Sequence, residues 1–146
     1  MITNNLKKPI LIDSDVLSYI YNKHSLASAY EEVLQDFQGF ISLQTVAEMR
    51  YGAFLGKWGK RRFEKLENYL DNYATIEPND TTAMYWAQLQ AQVRSVGRHI
   101  APGDAWIAAT ALEHDLVLVT HNVKDFESVE GLQILSLNPK LKNREL

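Results

Sequence analysis

Short apolar runs separated by longer amphipathic stretches organise this chain. The runs at residues 10–12 and 117–119 contain only isoleucine, leucine and valine, and a polar residue closes each of them. Such runs predict strands that are buried on both faces of a sheet. Weaker runs at residues 40–41 and 133–135 predict two further strands of the same kind.

Between these runs, apolar residues recur at the three- and four-residue spacing of helices. The predicted helical stripes are Phe63, Leu66, Leu70 and Tyr73, then Trp86, Leu89, Val93 and Val96, then Ile107, Ala108, Ala111 and Leu112. Asp80 or Thr81 is the expected cap of the second helix. Buried strands that alternate with helices predict an α/β fold, with a central, mainly parallel sheet of about four to five strands covered by helices on both sides.

Composition narrows the class of protein. A length of 146 residues with 46% hydrophobic side chains suits one domain, in which residues 139–146 are expected to form a loose polar tail. Because the chain has no cysteine, disulfides and thiolate-bound zinc are excluded. No stretch approaches the roughly 20 apolar residues of a membrane span, and the N-terminus lacks the apolar core of a signal peptide, so we expect a cytoplasmic protein.

Lone acidic residues stand at the ends of apolar segments that are far apart in sequence. Asp13 follows the first predicted strand, Glu48 follows a valine–alanine pair, and Asp104 opens an apolar run. In a parallel sheet, the carboxyl ends of strands and the starts of helices can face one edge, so we expect these acids to converge. Several carboxylates buried together are unfavourable unless a cation neutralises them, and a hard divalent cation would do so.

Each acid also has a purely structural interpretation. Asp13 suits a turn or a helix N-cap, and Asp15 suits either the cap of the following helix or a supporting role behind the site. Glu48 fits a capping box with Thr45, and from that spacing alone the structural role is favoured. Asp104 could be only an acid in the first turn of a helix, although its helical spacing places it on the face that packs on the sheet.

The loop after the strand at residues 117–119 adds three polar candidates. Asp125 offers a charged ligand, Asn122 a carbonyl oxygen, and Thr120 a hydroxyl that could orient a ligand or a water molecule. Aspartate and asparagine are also common in turns, so the spacing leaves both interpretations open.

Positive charge is concentrated in one segment, although the net charge of the chain is −3. Trp58 lies within this segment, and the basic residues around it are candidates for contact with RNA phosphates. The candidates are Arg50, Lys57, Lys60, Arg61 and Arg62. Runs of charge more often form solvated surface, and the acidic net charge argues against a protein that coats nucleic acid.

Four segments together resemble the PIN-domain ribonucleases and, within them, the VapC toxins of prokaryotic toxin–antitoxin pairs. They are ILIDSDVL at residues 10–17, VAEMRYGA at 46–53, GDAWIAATA at 103–111 and LVTHNVKDF at 118–126. The resemblance spans about residues 10–137, and four ordered blocks are more specific than any one block. It implies a PIN-like three-layer α/β/α sandwich formed by residues 1–146 as a single domain.

The resemblance implies an endoribonuclease that depends on Mg²⁺ or Mn²⁺. By position, Asp13, Glu48 and Asp104 are its catalytic, metal-holding acids, with Asp13 and Asp104 as direct ligands. The chain departs from the family pattern at Asp15, where asparagine is common, and at Asn122, where some members carry a fourth acid. Either Asp125 substitutes for that acid or the site works with three.

The resemblance also implies partners. They are an RNA substrate of the transfer or ribosomal class, a small VapB-like antitoxin that binds near the active site, and a second copy of the chain in a homodimer. Tyr19, Tyr30 and Phe54 are apolar residues that we expect to be exposed, which is compatible with protein interfaces.

Two other functions fit parts of the sequence. Residues 10–16 also resemble the opening motif of haloacid-dehalogenase-type phosphatases, in which Asp13 would be the nucleophile and Asp15 a general acid. The chain lacks the late pair of acids that such phosphatases need. The second alternative is a non-catalytic RNA- or partner-binding module, in which the acids are only caps and turn residues.

Overall fold

The structure is a computed structural model that describes residues 6–140. Most of the tail expected at residues 139–146 lies outside the described residues. None of the helices in the described part is long and apolar enough to cross a membrane. In chain order the elements are β1 (Lys8–Ile12), α1 (Ser14–Tyr21), α2 (Ala27–Leu34), β2 (Phe37–Ser42), α3 (Leu43–Leu55), α4 (Lys60–Leu70), β3 (Ala74–Ile76), α5 (Asp80–Ser95), α6 (Pro102–Glu113), β4 (Val117–Val119), α7 (Val123–Phe126) and β5 (Ile134–Leu135).

The five strands form one parallel sheet in the order β3-β2-β1-β4-β5. The chain builds outward from β1 through β2 to β3 and then crosses to the other side of β1 to add β4 and β5. A topological switch point therefore lies between β1 and β4, where the register pairs Ile12 with Val119. The parallel sheet is what the pattern of short apolar runs predicts, whereas the strand order, and with it the switch point, is known only from the structure.

Side chains of the central strands alternate between two cores. Ile10 and Ile12 pack in a cluster with residues of α1 to α4, whereas Leu11 packs in a second cluster with residues of α5 and α6. Because residues 10–12 of β1 and all of β4 are covered on both faces, polar side chains there would be buried without partners, which explains the apolar composition of these two segments. The predicted three-layer α/β/α sandwich is confirmed.

Several local features differ from the prediction. Neither strand β3 nor helix α2 has a clear sequence signal. Strand β3 is short and largely exposed. Asn79, rather than Asp80 or Thr81, caps α5, because its side chain accepts the Thr82 N–H in a capping box. Asp80 is the first residue of that helix.

Two of the apolar residues assigned to helical stripes lie beyond the helix ends. Tyr73 follows α4, which ends at Leu70, and Val96 is the exposed C-cap of α5. Tyr73 packs against the core although it lies outside the helix, and Val96 is exposed, so apolar spacing alone does not fix the helix boundary.

Candidate metal centre and active site

Asp13 and Thr120 lie side by side where β1 and β4 end, at the switch point. The Asp13 N–H donates to the Val119 carbonyl at 2.9 Å, which continues the ladder by one residue. Thr120 Oγ1 donates to Asp13 Oδ2 at 2.7 Å, while Asp13 Oδ1 accepts the Ser14 N–H at 2.8 Å and caps α1. The structural and functional interpretations of Asp13 are therefore compatible, since one carboxylate caps a helix and faces the acid site.

Asp13 is 5% exposed, and this burial is the main reason that its pKa lies well above 3.8. The negative charge of Asp15 raises the pKa further, and that of Asp104 adds a smaller effect in the same direction. The hydrogen bonds from Thr120 and from the Ser14 backbone act in the opposite direction because they stabilise the ionised form. Because the effects that raise the pKa outweigh those that lower it, the folded chain compensates the negative charge of ionised Asp13 only in part.

Asp15 holds the loop that follows β4. Its Oδ2 accepts the backbone N–H groups of His121 and Asn122, each at 3.0 Å. Two charge-assisted bonds of this kind fix the loop relative to α1. The supporting role predicted for Asp15 agrees with this geometry, whereas the alternative that it caps α1 is wrong because Asp13 is the N-cap.

Glu48 lies one turn deeper in α3 than the capping-box interpretation requires. The N-cap of α3 is Ser42, whose Oγ accepts the Thr45 N–H at 3.1 Å, so Thr45 is inside the helix and the predicted capping box is wrong. The Glu48 carboxylate instead accepts bonds from Ser14 Oγ at 2.7 Å and Gln44 Nε2 at 3.2 Å. These contacts orient Glu48 toward the start of α1, where Asp13 lies.

Asp104 is the third residue of α6 and is half-buried. Burial raises its pKa from 3.8 to about 6, and the charges of Asp125, Glu48 and Asp15 act in the same direction. Helix α6 begins close to α3, since a Cβ added to Gly103 would lie 2.9 Å from Gln44 Nε2. Carboxylates from four separate segments are therefore close enough for their charges to raise one another's pKa.

The loop candidates differ in their relation to this cluster. After burial, Asp125 is the largest cause of the raised pKa of Asp104. Asn122 is the exposed N-cap residue of α7, and its side chain forms no capping hydrogen bond. This difference favours Asp125 as the additional acid.

Within residues 6–140, no three histidine, aspartate or glutamate side chains are arranged so that together they could hold a metal ion. The donor set nevertheless fits a hard cation, because it consists of carboxylate oxygens whose charges raise one another's pKa. Mg²⁺ keeps several waters and binds through one or two carboxylates plus substrate phosphates, so it does not require a closed protein cage. The assignment of Asp13 and Asp104 as the ligands of such a cation stays a prediction, as does that of Glu48, whose charge raises the pKa of Asp104.

The basic candidates have different surroundings on the surface of α3 and α4. Arg50 forms a bidentate ion pair with Glu67 at 2.9 and 3.2 Å, whereas the guanidinium of Arg62 lies 3.9 Å from the centre of the Trp58 ring. Lys57, Lys60 and Arg61 are exposed. Their role in RNA binding stays a prediction.

Two supporting contacts were missed by sequence reasoning. Ser14 and Gln44 orient Glu48, but an isolated serine and glutamine carry no sequence signal for this role. Tyr30, which we expected to be exposed, is fully buried, and its hydroxyl lies 2.6 Å from His121 Nδ1. The hydroxyl also accepts the Leu137 N–H at 3.2 Å, so Tyr30 joins the loop after β4 to the segment that follows β5.

Comparison with known proteins identifies the class. The PIN-domain family profile matches residues 10–132, and the chain therefore belongs to the PIN-domain family. Ribonuclease VapC1 of Haemophilus influenzae (strain R2866) is 26% identical over 125 residues, covering 84% of this chain and 93% of the relative. The tRNA(fMet)-specific endonuclease VapC of Shigella flexneri is 30% identical over 93 residues, covering 64% of this chain and 70% of the relative. A solved toxin–antitoxin complex from Klebsiella pneumoniae matches with a TM-score of 0.69 and 25% identity, covering 86% of this chain and 95% of that chain.

Proposed function

We propose that this protein is a metal-dependent endoribonuclease and the toxin of a VapBC-type toxin–antitoxin pair. The observation that carries the proposal is that Glu48 raises the pKa of Asp104 and that Asp104 raises the pKa of Asp13, in a chain of the PIN-domain family. The similarity to two VapC nucleases, over most of the length of one of them, supports the same activity.

The site residues have distinct roles in this proposal. Asp13 and Asp104 would hold Mg²⁺ or Mn²⁺, which when bound would supply Lewis-acid activation of the attacking water and the scissile phosphate. Thr120 fixes the orientation of Asp13, and Ser14 fixes that of Glu48. Without these hydroxyl donors, each carboxylate would keep only one of these orienting hydrogen bonds, from the Ser14 N–H to Asp13 and from Gln44 to Glu48.

The partners follow from the relatives. The Shigella flexneri relative is named for a transfer RNA, so transfer RNA is the first substrate to test, with ribosomal RNA as the second. The complex from Klebsiella pneumoniae contains a toxin and an antitoxin, which supports a VapB-like partner for this chain. Exposed Phe54 and Leu55 on α3 provide apolar surface for such a partner or for a second copy in a homodimer. We expect the pair to act in the cytoplasm.

The geometry disfavours the phosphatase alternative. A general acid must reach the leaving group, but Asp15 Oδ2 is occupied by two backbone N–H groups of the loop after β4. The family match also lies with PIN domains.

The decisive experiment is cleavage of total cellular RNA by the purified protein, freed of any co-purified partner, with new 5′ ends mapped by sequencing. We expect discrete cuts with Mg²⁺ or Mn²⁺ that disappear with EDTA and in Asp104→Asn. The absence of cuts, or cuts that persist in Asp104→Asn, would refute the proposed site and favour a non-catalytic binding module.

A further inference from the structure

A groove leads away from the acid site between α1, α3 and the start of α4. Its volume is ≈ 380 Å³, which is within the range of about 300–1,000 Å³ that small-ligand sites occupy. Ser14, Asp15 and Glu48 line the end near the acid site, and Tyr21 and Trp58 line the other end. The groove is therefore continuous with the proposed catalytic centre.

The far end of the groove has a fixed aromatic wall. The rings of Tyr21 and Trp58 have centroids 6.2 Å apart and planes within 25° of each other. Arg62 covers the Trp58 ring at 3.9 Å and restrains it through a cation–π contact. A Cβ added to Gly56 would lie 2.7 Å from Trp58 Nε1, so the glycine allows the indole to occupy this position. Aromatic rings held in this way are the surfaces on which proteins stack unpaired bases.

Polar groups lie between the aromatic wall and the acids. Asn22 Nδ2 donates to Ser18 Oγ at 3.1 Å, and both residues line the groove. An amide and a hydroxyl together provide the donors and acceptors that can pair with the edge of a base. Lys60 and Arg61 are exposed in the first turn of α4, shortly after Trp58 in the chain, and are the basic residues that we expect to contact the phosphates of a bound strand.

We propose that this groove is a nucleobase subsite that binds one unstacked base of single-stranded RNA, from a nucleotide close to the scissile phosphate. The inference rests on the proposed ribonuclease function and adds a substrate-positioning site to it. The occupant is RNA rather than a protein segment because the groove opens on the acid site, has the volume of a small-ligand site, and combines aromatic rings with the guanidinium of Arg62, which lies over Trp58.

The sharpest test fills the groove without disturbing the fold. Gly52 lines the groove on α3, and a Cβ added there meets no atom within 4 Å. Gly52→Leu should therefore place an apolar side chain in the groove, and it should raise the thermal midpoint because glycine is a poor helix former. Ala91→Leu is the matched control, since it adds similar bulk at an exposed helical position on α5, outside the groove.

The substrate for this test is a short synthetic RNA that spans one mapped cut. Loss of base stacking is expected to raise the KM of Gly52→Leu roughly tenfold or more, whereas kcat and the half-saturating Mg²⁺ concentration stay unchanged. Ala91→Leu should keep the wild-type KM. A fall in kcat with unchanged KM would mean that the new side chain disturbs Glu48 instead, and this result would overturn the inference.

Trp58 provides a second, independent test. Trp58→Ala should raise KM roughly tenfold, and Trp58→Phe, which keeps a ring, should raise it less. When the substrate carries an abasic nucleotide at the position that occupies the groove, wild type and Trp58→Ala should have the same KM. If no abasic position removes the difference between them, Trp58 does not contact a base.

The outcomes separate this inference from the proposed function. If the wild-type protein cuts no RNA, the ribonuclease proposal has failed and the subsite fails with it. If the wild type cuts RNA and folded Gly52→Leu retains the wild-type KM, the nuclease stands and the subsite is refuted. If Gly52→Leu keeps its KM but no longer binds a purified antitoxin, the groove serves a protein partner and the inference is overturned.

Discussion

Replacing Asp104 with asparagine should stabilise the metal-free protein, although it should abolish activity. Burial and three neighbouring acids raise the pKa of Asp104 from 3.8 to about 6. In the unfolded chain an aspartate has a pKa near ~3.9, so the folded chain holds the proton more tightly than the unfolded chain does. Above the pKa of about 6 in the folded chain, ionised Asp104 therefore destabilises the fold, and asparagine removes the charge while keeping the shape of the side chain.

The size of the effect follows from the shift. A difference of about 2 pKa units corresponds to a ceiling of about 3 kcal/mol, and solvent screening of a half-buried group reduces this to roughly half. Loss of an acid from the first turn of α6 opposes the gain by about 0.3–1 kcal/mol. The net gain of about 1 kcal/mol corresponds to a rise of about 2–4 °C in Tm for a domain of this size.

The assay is thermal unfolding in EDTA at several pH values, followed by circular dichroism. Wild type loses stability relative to Asp104→Asn as the pH rises from about 4 to about 6, because only the wild type gains a charge at this position. The gap in Tm should be small near pH 4 and constant above about pH 7. Mg²⁺ should raise the Tm of the wild type more than that of the variant, since the cation binds the folded acid site.

Asp80→Asn is the matched control, because Asp80 is also an acid in the first turn of a helix but is exposed. It should lower Tm slightly or leave it unchanged at every pH. If Asp104→Asn also lowers Tm at pH 7.5 in EDTA, Asp104 acts only as a helix-terminal acid, and the crowded acid site that we infer does not exist.

Three further predictions concern the groups around the site. Thr120→Val removes the hydroxyl that donates to Asp13. This change should lower kcat/KM about 10–100-fold and raise the Mg²⁺ concentration needed for half activity. An unchanged Mg²⁺ dependence would exclude the role of Thr120 in orienting Asp13. Tyr30→Phe removes two hydrogen bonds of the Tyr30 hydroxyl and should lower the free energy of unfolding in urea by about 1–2 kcal/mol. No change would mean that the hydroxyl is not needed to join the loop after β4 to the segment after β5. Arg61→Gln should reduce the slope of log Kd against log salt for single-stranded RNA by about 0.7. Arg50→Gln should leave this slope unchanged, because Arg50 is paired with a glutamate. Equal slopes for the two variants would contradict this distinction.

The fold was largely predictable because two of its signals are strong and local. Strands buried on both faces must be apolar throughout, so β1 and β4 are visible as uninterrupted runs. Helix faces against the sheet must repeat every three or four residues, which identifies α4, α5 and α6. Short β3 is mostly exposed and α2 carries a mixed pattern, so neither has enough buried surface to leave a clear signal.

The helix caps were less predictable. Several polar residues near a helix start can serve as its cap, and the backbone angles of the preceding segment decide among them. Thus Ser42 caps α3 and Thr45 is internal, which frees Glu48 from the capping box and lets it contact Ser14 across the site. The same uncertainty explains why Asn79 was missed as the cap of α5.

The sequence by itself singled out Asp13 and Asp104 as candidates for one site, because a carboxylate at the end of an apolar run is improbable unless the fold brings a compensating group to it. Glu48 was assigned to the site only through the family resemblance. Only the tertiary structure decided what each acid contacts. The switch point between β1 and β4 places Thr120 against Asp13, and the loop after β4 occupies Asp15 with two N–H groups. These contacts join residues more than 100 positions apart, so strand order determines them and no local spacing can encode them.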